Sequence, residues 1–407
     1  MKKIQAFVMA GGVGERLYPL TLYRAKPAVP FGGIYRIIDF TLSNCINSGI
    51  RKIHVLIQYR SISLNRHLIM GWSIFNSELG EYIDVIPAQH AEGKHLYLGT
   101  ADSIYQNLDA IKVENPDFVL ILAGDHVYKM DYQAMLDYHI EKRSDCTISV
   151  VELPREKSRD FGIIQTDREN MVVGFQEKPA RPKTIPGSPQ MVYASMGIYI
   201  FSRKRLEEVL TADAARKDSS HDFGKNILPW MVKNGYRVAA YNFKDKNHKA
   251  AKYWRDIGGL DAYYAANMDL TKVSPEFNLY DNEWPIRTHQ EQCPPAKSVF
   301  AQKQDEGGRC GMALDSLVSH GCILSGGRVE RSILSPNVRI NSYSQVADSV
   351  LMEGVDVGRY AKIRRAIIDK DVRIPRYETI GYDLKKDKKR FFVTESGIVV
   401  VAKGSKI

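Results

Sequence analysis

Cysteine is scarce in this chain. Five occur in 407 residues (Cys45, Cys146, Cys293, Cys310 and Cys322), an odd number, widely separated and with no CxxC pair. That excludes a disulfide framework and a zinc cage and fits a reducing cytoplasm. Long apolar runs are missing too, so no membrane span is expected. The N-terminal MKKIQAFVMAGG passes from a short apolar run straight into glycines and reads as a buried strand rather than a signal peptide. Basic arms, zinc-finger spacing and single-stranded-RNA signatures are absent. The formal charge of +10 therefore implies a solvated lysine-rich surface or small polyphosphate partners ahead of nucleic acid. No Gly-Lys-Ser/Thr follows the glycine-rich stretch, which excludes a P-loop, and Leu17 stands where the third glycine of a dinucleotide fingerprint belongs.

What is present divides the chain in two. Apolar, β-rich runs IQAFVMA, KIHVLIQY, FVLILAGD, CTISVVEL and VYASMGIYIF are separated by helix-like segments such as IIDFTLSNCINSG and DYQAMLDYHIEKR. The alternation predicts an α/β domain over residues 1–275, a mostly parallel, Rossmann-like sheet with helices on both faces. Ligands of such sheets sit at the carboxyl ends of the strands, where AGG and AGD fall. Further on, Met312, Leu317, Ile323, Val329, Leu334, Ile340, Val346, Leu351, Val357, Ile363, Ile368 and Ile374 recur at steps of five or six, and three steps close a 17-residue cycle. No α-helix or flat sheet has this period. It predicts a three-sided, left-handed parallel β-helix of the hexapeptide type over 312–407, each face turning one aliphatic side chain inward. Residues 276–311, rich in Pro, Asn, Gln and Gly, read as the connection. The coil itself reads as a structural or oligomerising module, with acyl transfer a less supported alternative.

Five short stretches carry chemistry. GGVGER places Arg16 just beyond the glycines, and Lys26 follows in AKP. Two cations and a row of amides suit a pyrophosphate that is held and then expelled. Asp125 in LILAGDH and Asp256 in WRDIGG are two lone carboxylates far apart in sequence, the pattern of a Mg²⁺ ion that completes its shell with phosphates and water. FQEKP offers Glu177 to sugar hydroxyls and Lys178 as a point charge for a phosphate. Singly, each has a plain structural reading: a glycine turn, a helix cap, a surface ion pair.

Together with RAKPAV, YRIIDF, LSNCINSGI, ASMGIY, SSHDFGK, YWRDIG and WPIRT, these stretches resemble the bacterial glucose-1-phosphate adenylyltransferases, or ADP-glucose pyrophosphorylases, over essentially the whole chain. The resemblance implies attack by a glucose 1-phosphate oxygen on the α-phosphorus of ATP with loss of pyrophosphate, the first committed step of glycogen synthesis. It implies a triphosphate and leaving-group clamp of Arg16 and Lys26, a close backbone approach at Gly11 and Gly12 with Gly124 beside them, and a Mg²⁺ pair of Asp125 and Asp256. It further implies a sugar-phosphate site of Tyr97, Gly162, Glu177, Lys178 and Ser195, and Gln58 at the base or in effector relay. A cytoplasmic homotetramer with anionic allosteric effectors is the implied assembly. The nucleophile is already an anion, so no general base is needed, in keeping with the lack of a conspicuous catalytic histidine.

The chain departs from the family pattern at Glu15, Leu96 and Leu98. Val13, Tyr23 and Pro30 stand where activated relatives carry two cationic residues and a histidine. Loss of three anion-binding groups predicts weak or altered activation by sugar bisphosphates. The alternative is that KKDKKR at 385–390, with Arg24 and Arg36, still forms the anion site. Other sugar-nucleotide products, or a catalytically silent regulatory subunit, are the rival functions; retention of Arg16, Lys26, Asp125, Lys178 and Asp256 together argues against silence.

Overall fold

The structure, a computed structural model, describes residues 3–88, 96–247, 252–302 and 308–407. Strand Ile4–Met9 pairs in parallel with Lys52–Ile57 on one side and Phe118–Ala123 on the other, and Lys52–Ile57 pairs in parallel with Tyr82–Pro87. Ala6, Phe7, Val8, Ile53, Val55 and Val119–Leu122 are all buried. That is why these strands read as unbroken apolar runs: helices cover both faces. Helices Ile37–Asn47 and Tyr132–Glu141 lie in the segments expected to be helical. The long strand Met191–Ser202 runs antiparallel to Phe118–Ala123, Cys146–Pro154 and Gly162–Thr166, and extends the sheet to nine strands.

The C-terminal part is a three-faced parallel coil. Val329, Val346, Ile363 and Ile380 stack on one face, Leu334, Leu351 and Ile368 on a second, Ile340, Val357 and Ile374 on the third, all buried. The first turn differs from expectation. Leu324, not Ile323, lies beside Ile340, and Ala313 and Val318 lie beside Val329 and Leu334. This turn is one residue shorter than the others, so the inward places expected for Met312, Leu317 and Ile323 pass to their next neighbours. A one-residue slip in a strand reverses every side chain. Left-handed backbone at Tyr343, Tyr360 and Tyr377 marks one corner on successive turns, and their rings stack 4.9 and 5.0 Å apart.

Residues 277–288 are stitched to the sheet domain. Lys129 Nζ donates to Asp281 at 2.9 Å, the Trp284 indole to Asn44 at 2.8 Å and the Thr288 hydroxyl to the fully buried Asp39 at 2.7 Å. The parallel coil already begins at Lys297–Val299, which pairs with Ile323–Ser325. The two domains share a core: Ile333, Val350, Ile367 and Val400 point out of the coil into Phe31, Tyr263, Leu270 and Phe277. A buried ion pair, Arg24 Nη1 to Asp369 Oδ1 at 2.8 Å, crosses the same joint.

Candidate active site

Three strands end together at one edge of the sheet. The backbone N–H of Ala10 donates to Leu56 O at 2.8 Å, and that of Gly124 to Met9 O at 3.0 Å. A Cβ on Gly124 would lie 3.2 Å from the Met9 carbonyl, and one on Gly11 would lie 3.1 Å from Gln58 Cβ; Gly12 faces open space. Only glycine permits this closeness at 11 and 124 without displacing a neighbour. Gly11, Gly12, Gln58 and Tyr97 line one cleft of about 260 Å³, together with Gly99 and Thr100. Tyr97, expected among the sugar-phosphate residues, thus lies with the glycine loop. Its hydroxyl accepts from Asn107 at 3.1 Å.

Asp125 follows Gly124 directly. Opposite it, the short strands His126–Tyr128 and Trp254–Asp256 pair antiparallel, with Asp256 facing His126. This register brings the two distant carboxylates together. Lys26 Nζ sits 2.7 Å from Asp125 Oδ2 and 3.4 Å from Asp256 Oδ1, and the lysine is only 7% exposed. Burial alone lowers an ammonium pKa, yet the two carboxylates outweigh it and the net direction is up. Burial pushes the Asp125 carboxyl up, and the charges of Lys26 and His126, with the hydrogen bonds from Lys26 and from the backbone, together more than reverse this and hold it well below the usual carboxylate range. Lys26 is thus engaged by the carboxylates themselves. Arg16 is exposed, forms no ion pair among the described residues, and its Nη1 lies over Gly258 beside Asp256.

Gly162, Glu177, Lys178 and Ser195 form a second group. Gly162 is paired in register with Glu177, and a Cβ on it would strike the Phe175 ring at 2.6 Å. Lys178 has a left-handed backbone (φ 46°), its N–H donating to Phe161 O at 3.1 Å, and its side chain is exposed. The Ser195 hydroxyl accepts from Gly197 N at 3.3 Å, at the irregularity in the long strand. A path of rings joins this group to the carboxylates: Phe161 to Trp254 at 5.4 Å, then Trp254 to His126 at 5.2 Å.

Two features were not read from the sequence. His126 lies beside both carboxylates, its Nε2 3.5 Å from Asp125 Oδ1 and 3.9 Å from Asp256 Oδ1. Its place next to Asp125 was the available signal. Gly99 abuts SSHDFGK: a Cβ there would lie 2.4 Å from the carbonyl oxygens of Ser220 and His221, and Thr100 Oγ1 donates to Asp222 at 3.0 Å. The glycine in LYLGTA was the hint.

Comparison with known proteins agrees with this architecture. The nucleotidyl transferase family model matches residues 5–273, and the GlmU-like, C-terminal hexapeptide model matches residues 294–401. A glucose-1-phosphate adenylyltransferase of Koribacter versatilis (strain Ellin345) is 54% identical over 97% of this chain and 94% of its own length. One of Methylococcus capsulatus is 52% identical over 97% and 92%, and one of an Anaeromyxobacter species is 51% identical over the full length of both. The chain belongs to the glucose-1-phosphate adenylyltransferase family of nucleotidyl transferases.

Proposed function

We propose that the chain converts ATP and α-D-glucose 1-phosphate into ADP-glucose and diphosphate in a Mg²⁺-dependent reaction. The convergence of Asp125 and Asp256 on a single position for positive charge, at the strand ends beside the glycine loop, carries the reading. That donor set fits the metal: two carboxylates facing one cation suit a small, hard ion with phosphate and water in its remaining places. Bound there, Mg²⁺ supplies neutralisation of phosphate charge. The chain's own residues do the rest. Glycine-loop amides and Arg16 hold the triphosphate, Glu177 accepts from sugar hydroxyls, and Lys178 places a charge on the sugar phosphate, with Ser195, Gly162 and Tyr97 completing the sugar site. The sugar-phosphate oxygen forms a bond to the α-phosphorus as the bond to the β-phosphate oxygen breaks, and pyrophosphate leaves with its electron pair. The nucleophile is an anion, so alignment and charge neutralisation account for the rate. Pyrophosphate release with ATP, Mg²⁺ and glucose 1-phosphate tests the reading; faster turnover with UTP, dTTP or GTP would overturn it.

The same reading assigns weak activation by sugar bisphosphates, in a cytoplasmic homotetramer. Cations near the joint are already engaged: Arg24 with Asp369, Lys370 with Glu353, Arg390 with Glu378, while Arg36 donates to Ser63. The cavity lined by Pro30, Arg36, His67, Glu353 and Lys370 has about 70 Å³, well short of the roughly 300 Å³ at the lower end of ligand pockets. Strong activation on titrating fructose 1,6-bisphosphate would refute this part. No helix among the described residues is long and apolar enough to cross a membrane.

A further inference from the structure

His126 has no assigned part in the reaction, yet it is 8% exposed and its ring is wedged between the carboxylate pair and Trp254. We infer that His126 is a positioning residue: its Nε2–H faces Asp125 and Asp256 beside Lys26 and steadies both carboxylates for a divalent cation, without itself binding the metal. The inference rests on the assignment of Asp125 and Asp256 as the cation pair.

The surroundings of the two ring nitrogens differ: Nε2 approaches the carboxylates at 3.5 and 3.9 Å, beyond a formed hydrogen bond, whereas Nδ1 meets no polar partner among the described residues. Asp125 presents Oδ2 to Lys26 at 2.7 Å and Oδ1 to His126 at 3.5 Å, so its carboxylate plane is addressed at both ends. Asp256 turns the same oxygen toward both neighbours. A metal-bound Nε2 would move the ring proton to Nδ1. That atom is buried with no hydrogen-bond partner among the described residues, and so is the indole N–H of Trp254, packed edge-on against the ring. Histidine ligands ordinarily donate their second N–H to a carboxylate or carbonyl, which here is missing. With the proton on Nε2, the bare Nδ1 leaves no second stranded donor beside that indole. The imidazole thus lies between the Trp254 ring and the carboxylates, with Nε2 toward the carboxylates.

Mn²⁺ is the probe, with the full-length protein and no nucleotide, free ion being counted by electron paramagnetic resonance. His126→Gln keeps an N–H near the same place and is expected to bind Mn²⁺ within about threefold of the wild type. His126→Phe keeps the ring against Trp254 but loses the donor; roughly 10- to 100-fold weaker binding is expected, the range for losing a partner of a metal ligand. Electron spin-echo spectra of the wild-type Mn²⁺ complex are expected to lack nitrogen coupling from a bound imidazole. Such coupling, or binding by His126→Phe equal to the wild type, overturns the inference, and the spectrum can still overturn it if a variant misfolds. Asp256→Asn separates the two levels. If it loses Mn²⁺ while His126→Phe does not, only the role of His126 falls; if it binds like the wild type, the cation pair falls and the inference with it.

Discussion

Replacing Arg24 by Met removes one half of a buried ion pair that joins the two domains. Arg24 Nη1 is 2.8 Å from Asp369 Oδ1, with side chains 5% and 1% exposed. Withdrawing one partner strands the other charge and costs about 3–5 kcal/mol. Here Asp369 keeps two backbone donors, Lys370 N at 2.7 Å and Lys403 N at 3.3 Å, and Met refills the space beside Met352. The loss is therefore expected near the low end, about 3 kcal/mol. The double variant Arg24→Met, Asp369→Asn deletes both charges, keeps an acceptor for the closer Lys370 amide while giving up the 3.3 Å bond from Lys403, and is expected to recover most of the loss. Urea unfolding followed by circular dichroism and by tryptophan fluorescence reads both effects. The shared core across the joint predicts coincident transitions. A loss below about 1 kcal/mol in the single variant, the size of an exposed pair, would refute the reasoning, as would a double variant no more stable than the single.

Asp125→Asn is expected to lower kcat by roughly 100- to 1000-fold, the scale for one lost electrostatic element; a mild effect in steady-state assays removes Asp125 from the mechanism. Lys178→Ala should mainly raise KM for glucose 1-phosphate, and a collapse of ATP affinity instead would show that this lysine serves the nucleotide. Gly99→Ala forces two loops apart, since its Cβ would lie 2.4 Å from two carbonyl oxygens. A fall in kcat/KM of up to about 100-fold is expected, the cost of misplacing a site by an ångström; unchanged kinetics would mean that the loops are free to shift. Leu351→Ala opens a hole inside the coil, where the side chain is fully buried, and should cost about 2–5 kcal/mol by thermal or urea unfolding.

The sheet and the coil were legible because their periods are imposed by burial. Phe118–Ala123 is apolar throughout since both faces are covered, and Val329, Val346 and Ile363 keep one spacing since each must fill the same interior. The short first turn was hidden because Ile323 and Leu324 are both aliphatic, so either satisfies the pattern. A doubled signal went unread: Ile333-Leu334, Val350-Leu351 and Ile367-Ile368 put apolar residues on both sides of one face, which is how a coil face covered by another domain must look. The polar composition of 277–288 suggested a connector, whereas its bonds to Asp39, Asn44 and Lys129 depend on partners that no local pattern reveals. The proximity of Asp125 and Asp256 came from family resemblance; its physical cause, the pairing of Trp254–Asp256 with His126–Tyr128, is a long-range fact.

Arg24 and Lys26 are separated by a single residue, one anchored in the coil and the other in the carboxylate pair. A tether this short has no slack, since neighbouring Cα atoms are held about 3.8 Å apart. If the coil slides against the sheet domain by more than a fraction of that distance, either the Arg24 grip breaks or Lys26 is dragged from its seat. Truncations and insertions near Asp369, far along the chain from any reacting atom, thereby act as perturbations of the chemistry itself.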